Sequence, residues 1–276
     1  MKCDPDELAR AAVCLKEAGR LVAFTGAGCS AESGIPTFRD PGGLWSEFPP
    51  EEFGNLAGLA HIALREPRRL ARFVQAVLEP VVAARPHAGH QALVELERIT
   101  KTTVVTQNVD GLHQQAGNGR VLEVHGSLFE IVTRRGRPVR RLTRDDLAGV
   151  LEQVRAAACG QFPLPRSLWA LRRLVKPTLD GFHRPNIVLF GEMMAEPAYS
   201  ESLAAVEQCD CLLMIGTSGE VYPAALFPHQ AQAAGAKVIT IDPHPQLGDI
   251  RLSGTAATVL PRLLERVSAP PGAGEH

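Results

Sequence analysis

The 276-residue chain has no C-x-x-C pair, no apolar run longer than a strand and almost no net charge. Its six cysteines, Cys3, Cys14, Cys29, Cys159, Cys209 and Cys211, are scattered. That argues against a disulfide framework or a cysteine-built zinc site and fits a reducing cytoplasmic setting. Cys209-x-Cys211 reads as buried thiols rather than a metal pair. Nothing approaches the roughly 20 apolar residues of a transmembrane helix. The opening MKCDPDELAR carries acids early and has no apolar core, unlike a secretory signal. A net charge of −1 gives no indication of nucleic acid or membrane as partner. There is no internal repeat. With 45% apolar residues, the chain can fill one large domain, or a large one with a small one. The closing SAPPGAGEH is rich in proline and glycine, and residues 269–276 are expected to be disordered.

What is present centres on Leu21 to Asp40. Leu21-Val22-Ala23-Phe24-Thr25 reads as a buried strand. Gly26-Ala27-Gly28-Cys29-Ser30-Ala31 follows as G-x-G-x-x-A, whose glycines allow a tight turn and bring backbone N–H groups close to a pyrophosphate. Gly34 and Pro36 stop any helix after about one turn, where a dinucleotide fold would run on into a long one. Phe38-Arg39-Asp40 then reads as a lid over a ligand.

Asp4 to Gly19 reads as a capped helix. Further strands are expected at Thr102–Thr106, Val121–Val124, Asn186–Phe190, Cys211–Ile215 and Lys237–Ile241, with helices between them. This alternation implies an α/β fold, a Rossmann-like, doubly wound parallel sheet. The polar clusters follow the strands: GAG, QNVD, HGS, GE, GTS and Asp242. Ligands of such sheets bind at the carboxyl ends of the strands. The basic run Arg134 to Arg144 interrupts the pattern. Residues 1–40, 86–132 and 185–268 are assigned to the Rossmann-like domain; 41–85 and 133–184 form a small, mostly helical module.

Taken together, the motifs resemble those of the sirtuins, NAD-dependent protein-lysine deacylases. The likeness is carried by Gly26-Ala27-Gly28-x-Ser30, Ser33-Gly34-Ile35-Pro36-x-Phe38-Arg39, Thr106-Gln107-Asn108-x-Asp110-x-Leu112-His113, His125-Gly126, Phe190-Gly191-Glu192, Gly216-Thr217-Ser218 and Val221-x-Pro223. The resemblance implies NAD as cofactor. It places Gly26, Ala27, Gly28 and Ser30 at the pyrophosphate and Ile35 and Asp110 at the nicotinamide carboxamide. Phe38 would shield the reacting face, and Arg39 would sit near the phosphates. Gln107 and Asn108 would touch the ribose, with Asn108 orienting hydroxyls and water, and His125 would be the base. Gly216, Thr217, Ser218 and Asp242 would hold the adenosine side. Val188, Phe190, Gly191 and Glu192, with Glu220, Val221 and Tyr222, would grip an acyl-lysine protein or peptide as an inserted strand. Beside these roles, His125 can be a strand-capping histidine, Asp110-Gly111 a turn and Arg39 a surface charge. His113 reads as a packed histidine.

Two departures refine the expectation. The family's four zinc cysteines would fall near Thr133, Gly136, Lys176 and Leu179, so no zinc is predicted, and packing through Leu164, Leu168, Trp169, Leu171 and Leu174 would hold the module instead. Val74 and Val77 stand in the segment where members that remove acidic acyl groups carry a Tyr and an Arg, so an apolar acyl group, acetyl or longer, is the better fit. Protein mono-ADP-ribosyl transfer, NAD hydrolysis and non-enzymatic NAD sensing are the alternative readings.

Overall fold

A computed structural model describes residues 3–158, 174–178 and 181–269. Cys159, the packing residues Leu164, Leu168, Trp169 and Leu171, and the tail from residue 270 on lie outside the described residues. Ten strands are described: β1 (Arg20–Thr25), β2 (Lys101–Thr106), β3 (Val121–Glu123), β4 (Gly126–Val132), β5 (Pro138–Arg141), β6 (Lys176–Thr178), β7 (Gly181–Ile187), β8 (Cys211–Ile215), β9 (Lys237–Asp242) and β10 (Ile250–Ser253). Six of them form one parallel sheet in the order β10-β9-β8-β1-β2-β3. Chain order thus runs outward from β1 in one direction and then, from β8, in the other. This is the strand order of a dinucleotide-binding fold, with its switch point between β1 and β8.

Period-two alternation builds both faces of this sheet. Leu21 and Ala23 join one core with Ala11, Leu93 and Leu263, from the helices Pro5–Glu17, Ala88–Ile99 and Ala256–Ser268. Val22 and Phe24 point the other way, to Val206 and Phe227 of the helices Ala198–Gln208 and Phe227–Ala233. The Phe24 and Phe227 rings meet edge to face at 5.4 Å. Asp4 caps the first helix by accepting from Asp6 N–H at 3.0 Å.

The sheet differs from expectation in one member. Asn186–Phe190 is not one of its strands. β7 ends at Ile187 and pairs antiparallel with β4 and β6 in a second sheet of order β5-β4-β7-β6. Every residue from Phe182 to Leu189 is only partly buried, without the two-sided burial of a central parallel strand. β10 completes the main sheet instead. Its Ile-Arg-Leu-Ser is too short and too mixed in polarity to announce itself. The second sheet also makes the smaller unit a mixture of strands and helices where a mostly helical one was expected. Its core joins Leu78 and Val81 of the helix Pro67–Ala83 to Leu147, Val150 and Val154 of the helix Arg144–Ala158, with Leu128, Ile131 and Leu174. The basic run falls at the β4–β5 hairpin and at the start of that second helix. Arg144 is not merely solvated: it donates to Val81 O and to Gln115 Oε1, and lies 5.3 Å over the Phe129 ring.

β3 is an edge strand and ends at Glu123, whose carboxyl is pushed up to about 7, first by burial and then by Asp110 and Glu130. A carboxyl raised in the folded state contributes stability below the unfolded carboxylate range, and that contribution is lost as pH rises through about 7. Glu123→Gln should therefore stabilise the protein by on the order of 2 kcal/mol near pH 8 and by much less near pH 5, read from thermal or denaturant unfolding at both.

Candidate functional site

The loops leaving β1 and β8 meet at the switch point, backbone against backbone. Gly28 N–H donates to Gly216 O at 2.9 Å, and Gly26 N–H to Ile215 O at 3.0 Å. A Cβ on Gly26 would lie 2.7 Å from Gly216 O, and one on Gly28 2.9 Å from Gly216 Cα. Gly216 itself has φ +57°, and a Cβ there would lie 2.2 Å from Cys29 N. Only glycine fits these contacts. After β1 the chain makes two single 3-10 turns, Ala27–Cys29 and Ala31–Ser33, and stops at Gly34. The long helix is absent, as the glycine and proline require.

A buried polar floor lies beneath these loops. Ser30 Oγ donates to Asp110 Oδ2 at 2.7 Å. Asn108 Nδ2 lies 3.1 Å from Ser30 Oγ and donates to Gly26 O at 2.9 Å. Asp110 also accepts from Leu112 N–H at 2.9 Å, so it caps its own turn while facing Ser30. Burial pushes the Asp110 carboxyl up, against these bonds. Gln107 Nε2 donates to Thr217 Oγ1 at 3.0 Å, tying the loop after β2 to the loop after β8. His125 Nδ1 donates to Gln107 O at 3.1 Å, which leaves Nε2 as the bare nitrogen of the neutral ring. Burial lowers its pKa below the ordinary histidine value. A neutral imidazole with one nitrogen fixed and the other bare can act as a base.

The remaining predicted residues stand outside this hydrogen-bonded floor. Phe38 stacks on Trp45 at 5.4 Å, and Trp45 on Phe190 at 6.1 Å, so three aromatic rings run across the lid. Ile35 packs towards the core of the smaller unit. Arg39 Nη1 pairs with Glu220 Oε2 at 3.0 Å, both side chains being at least half exposed. Val188 N–H donates to His125 O at 2.9 Å, and Phe190 N–H to Gly54 O at 2.8 Å. Gly191 has φ +85°. Glu192 is engaged by β7 and its own loop, receiving Arg184 at 2.7 Å on both oxygens and Leu189 N–H at 3.0 Å. Tyr222 is exposed, Val221 O accepts from Ala225 N–H, and Ser218 faces solvent. Asp242 ends β9 and spends Oδ1 on His244 N–H at 2.9 Å.

Sequence reasoning missed several contributors. Trp45 joins Phe38 to Phe190, and Gly54 lies under the Phe190 ring, where a Cβ would be 2.4 Å from Cδ2. Neither stands in a period or motif; one of only two tryptophans beside Gly42-Gly43 was the available signal. Thr25 and Thr106, read as strand residues, form a hydroxyl pair under Asn108. His113 is buried and hydrogen-bonded, in line with its reading as a packed histidine. Cys29, His90 and His113 gather donor atoms within 4.8 Å of one another, a soft three-donor set.

Comparisons with known proteins point to one family. A profile of the Sir2 family matches residues 26–223. The NAD-dependent protein deacylase of Desulfosudis oleivorans is 41% identical over 262 residues, covering 93% of this chain and 94% of that protein. A solved Sir2 homologue–NAD complex superposes with a TM-score of 0.75 at 31% identity, covering 96% of this chain and 95% of that one. Sir2Af2 bound to a myristoylated histone peptide superposes with a TM-score of 0.67 at 29% identity, over 96% of this chain and 97% of that one. Glycine loops that only glycine can close, a polar floor beneath them and a histidine tied to Gln107 O thus stand in a chain whose likeness runs along nearly its whole length, and the chain belongs to the Sir2 family.

Proposed function

We infer that the chain is an NAD-dependent protein-lysine deacylase. The carrying observation is His125: its Nδ1 is committed to Gln107 O, its Nε2 is bare, and it stands beside the polar floor of Asn108, Ser30 and Asp110. These residues fit NAD. The Gly26–Gly28 turn has no room for side chains against Gly216, so its backbone can approach a pyrophosphate closely. Asp110 and Ser30 offer a carboxylate and a hydroxyl to an amide. NAD supplies the bond that breaks, releasing nicotinamide, and the ADP-ribose that accepts the acyl group. Asn108 orients hydroxyls and water without carrying charge. His125 Nε2 takes a proton from a ribose hydroxyl. The rings of Phe38, Trp45 and Phe190 keep water from the reacting carbon.

The substrate is an acyl-lysine peptide, entering between the Val188–Glu192 and Glu220–Tyr222 segments. Two structural neighbours support this: Sir2Af2 bound to a myristoylated histone peptide, and a Sir2–p53 peptide–NAD complex. The aromatic row and Val74 and Val77, which pack in apolar clusters of the smaller unit, favour an apolar acyl group. The same reading has the protein folding without zinc. Thr133 and Gly136 stand where two of the cysteines would be, and Gly136 N–H donates to Thr133 O to close the β4–β5 hairpin. Lys176 stands at a third position; Leu179 lies outside the described residues. A cytoplasmic location is supported by free thiols at Cys3, Cys14, Cys29, Cys209 and Cys211.

Nicotinamide release should require an acetyl- or longer acyl-lysine peptide, and His125→Ala should lower it by about 10²- to 10⁴-fold; release without peptide points instead to hydrolysis or ADP-ribosyl transfer. Because burial lowers the His125 pKa, its base form persists through neutral pH. The acid limb of the pH–rate profile should therefore have its midpoint below the ordinary histidine value of about 6.5; a midpoint above that value contradicts the assignment. Elemental analysis of protein purified without chelator should find well under one zinc per chain, whereas one tightly held equivalent refutes the zinc-free reading.

A further inference from the structure

Beneath Asn108 runs a chain of side-chain hydrogen bonds that no step above uses. Asn108 N–H donates to Thr106 Oγ1 at 3.0 Å. Thr25 Oγ1 donates to the same oxygen at 2.7 Å. Thr25 Oγ1 in turn lies 2.9 Å from His113 Nε2. Thr25, Thr106 and His113 are all nearly solvent-free, with exposures of 0%, 2% and 1%. Because the Thr25 proton is spent on Thr106, its oxygen can only accept from the ring. His113 is therefore the Nε2–H tautomer. Burial holds the ring neutral, with its pKa down at about 4.

The chain has a buried anchor. His113 packs on His90 at 5.1 Å between ring centroids, and His90 on His87 at 4.2 Å. His87 caps the helix Ala88–Ile99 through Gly89 N–H and reaches Cys29 O with Nε2 at 2.8 Å. One end of this histidine column thus holds the turn carrying Gly28 and Ser30, and the other end holds the hydroxyl pair under Asn108. β1 and β2 already fix Thr25 opposite Thr106 by register. Two neighbouring threonines could each satisfy their hydroxyls locally on the strand backbone. Here they are instead oriented along one line, and His113 is the donor that sets the direction.

We propose that His113 is a positioning residue for the ribose-facing Asn108, acting through Thr25 and Thr106. With the line intact, the Asn108 backbone is pinned from below while its side chain is held by Gly26 O and Ser30. Losing the His113 donor frees the Thr25 hydroxyl to turn away from Thr106. Asn108 then keeps its neighbours but loses its fixed height in the site. The proposal rests on the deacylase reading for the meaning of Asn108, not for the hydrogen bonds themselves.

The test compares His113→Leu, which removes the donor, with His113→Gln, whose amide can replace Nε2–H. Thr106→Val is compared with Thr106→Ser in the same way. The expected result is a loss of about tenfold in kcat for nicotinamide release in His113→Leu and Thr106→Val, with KM for NAD within about twofold. Gln and Ser should restore most of the loss, and the double variant His113→Leu/Thr106→Val should be no worse than either single change. Equal losses in Leu and Gln, or a loss confined to KM, would overturn the proposal, since packing alone explains both. A second readout is independent of turnover. In nitrogen-15 NMR, His113 Nε2–H should give a slowly exchanging imidazole signal that disappears in Thr25→Val, and the Asn108 amide signal should shift in His113→Leu. If the wild-type protein released no nicotinamide, the deacylase reading would fail while these signals still decided the relay: no protected imidazole proton, or an unmoved Asn108 amide, would sink it.

Discussion

The contact on which the rest of the molecule depends is that between the Gly26–Gly28 turn and Gly216. It is made by backbone alone, and it sets the width of the crevice at the switch point of the sheet. The loop after β2 is keyed to it from both sides, through Asn108 Nδ2 on Gly26 O and Gln107 Nε2 on Thr217 Oγ1. His125 is keyed in turn to Gln107 O. The site is thus a nested set: two touching loops, a third laid across them, and a histidine leaning on the third. A single methyl group at Gly216 would meet Cys29 N at 2.2 Å and spread every later member.

The polar floor is costly to bury, and the fold meets that cost by leaving few of its members without a partner. Asp110, Ser30 and Asn108 satisfy one another and adjacent backbone groups. Burial still raises the Asp110 pKa and lowers those of His113 and His125. The result is a floor whose one carboxyl, Asp110, is held on both oxygens, by Ser30 Oγ–H and by Leu112 N–H.

Much of this was legible because the residues concerned leave strong local marks. Gly26, Gly28 and Gly216 follow short apolar runs, and Gly34 with Pro36 forbids the usual helix. The sheet's parallel character followed from runs such as Leu21–Thr25 and Cys211–Ile215, apolar on both faces. Asn186–Phe190 misled because an apolar run looks the same whether it is buried on two faces or laid over a loop junction. β10 was hidden for the opposite reason, its pattern of alternate burial being carried by only four residues. The Trp45–Phe190 contact and the Thr25–Thr106 pair were out of reach, since each joins segments far apart in the chain.

The Arg39–Glu220 pair joins the lid to the opposite wall by a single contact at 3.0 Å between exposed side chains. Such contacts are worth no more than about 1 kcal/mol in water. That ion pair therefore adds little to what the Phe38, Trp45 and Phe190 rings contribute there. An arriving polyanion competes with Glu220 for the same guanidinium, so entry exchanges one ion pair for another instead of creating one. Dissolved salt weakens the resident pair and the incoming one alike. Ionic strength should consequently act on that exchange through the difference between two ion pairs, not through either one alone.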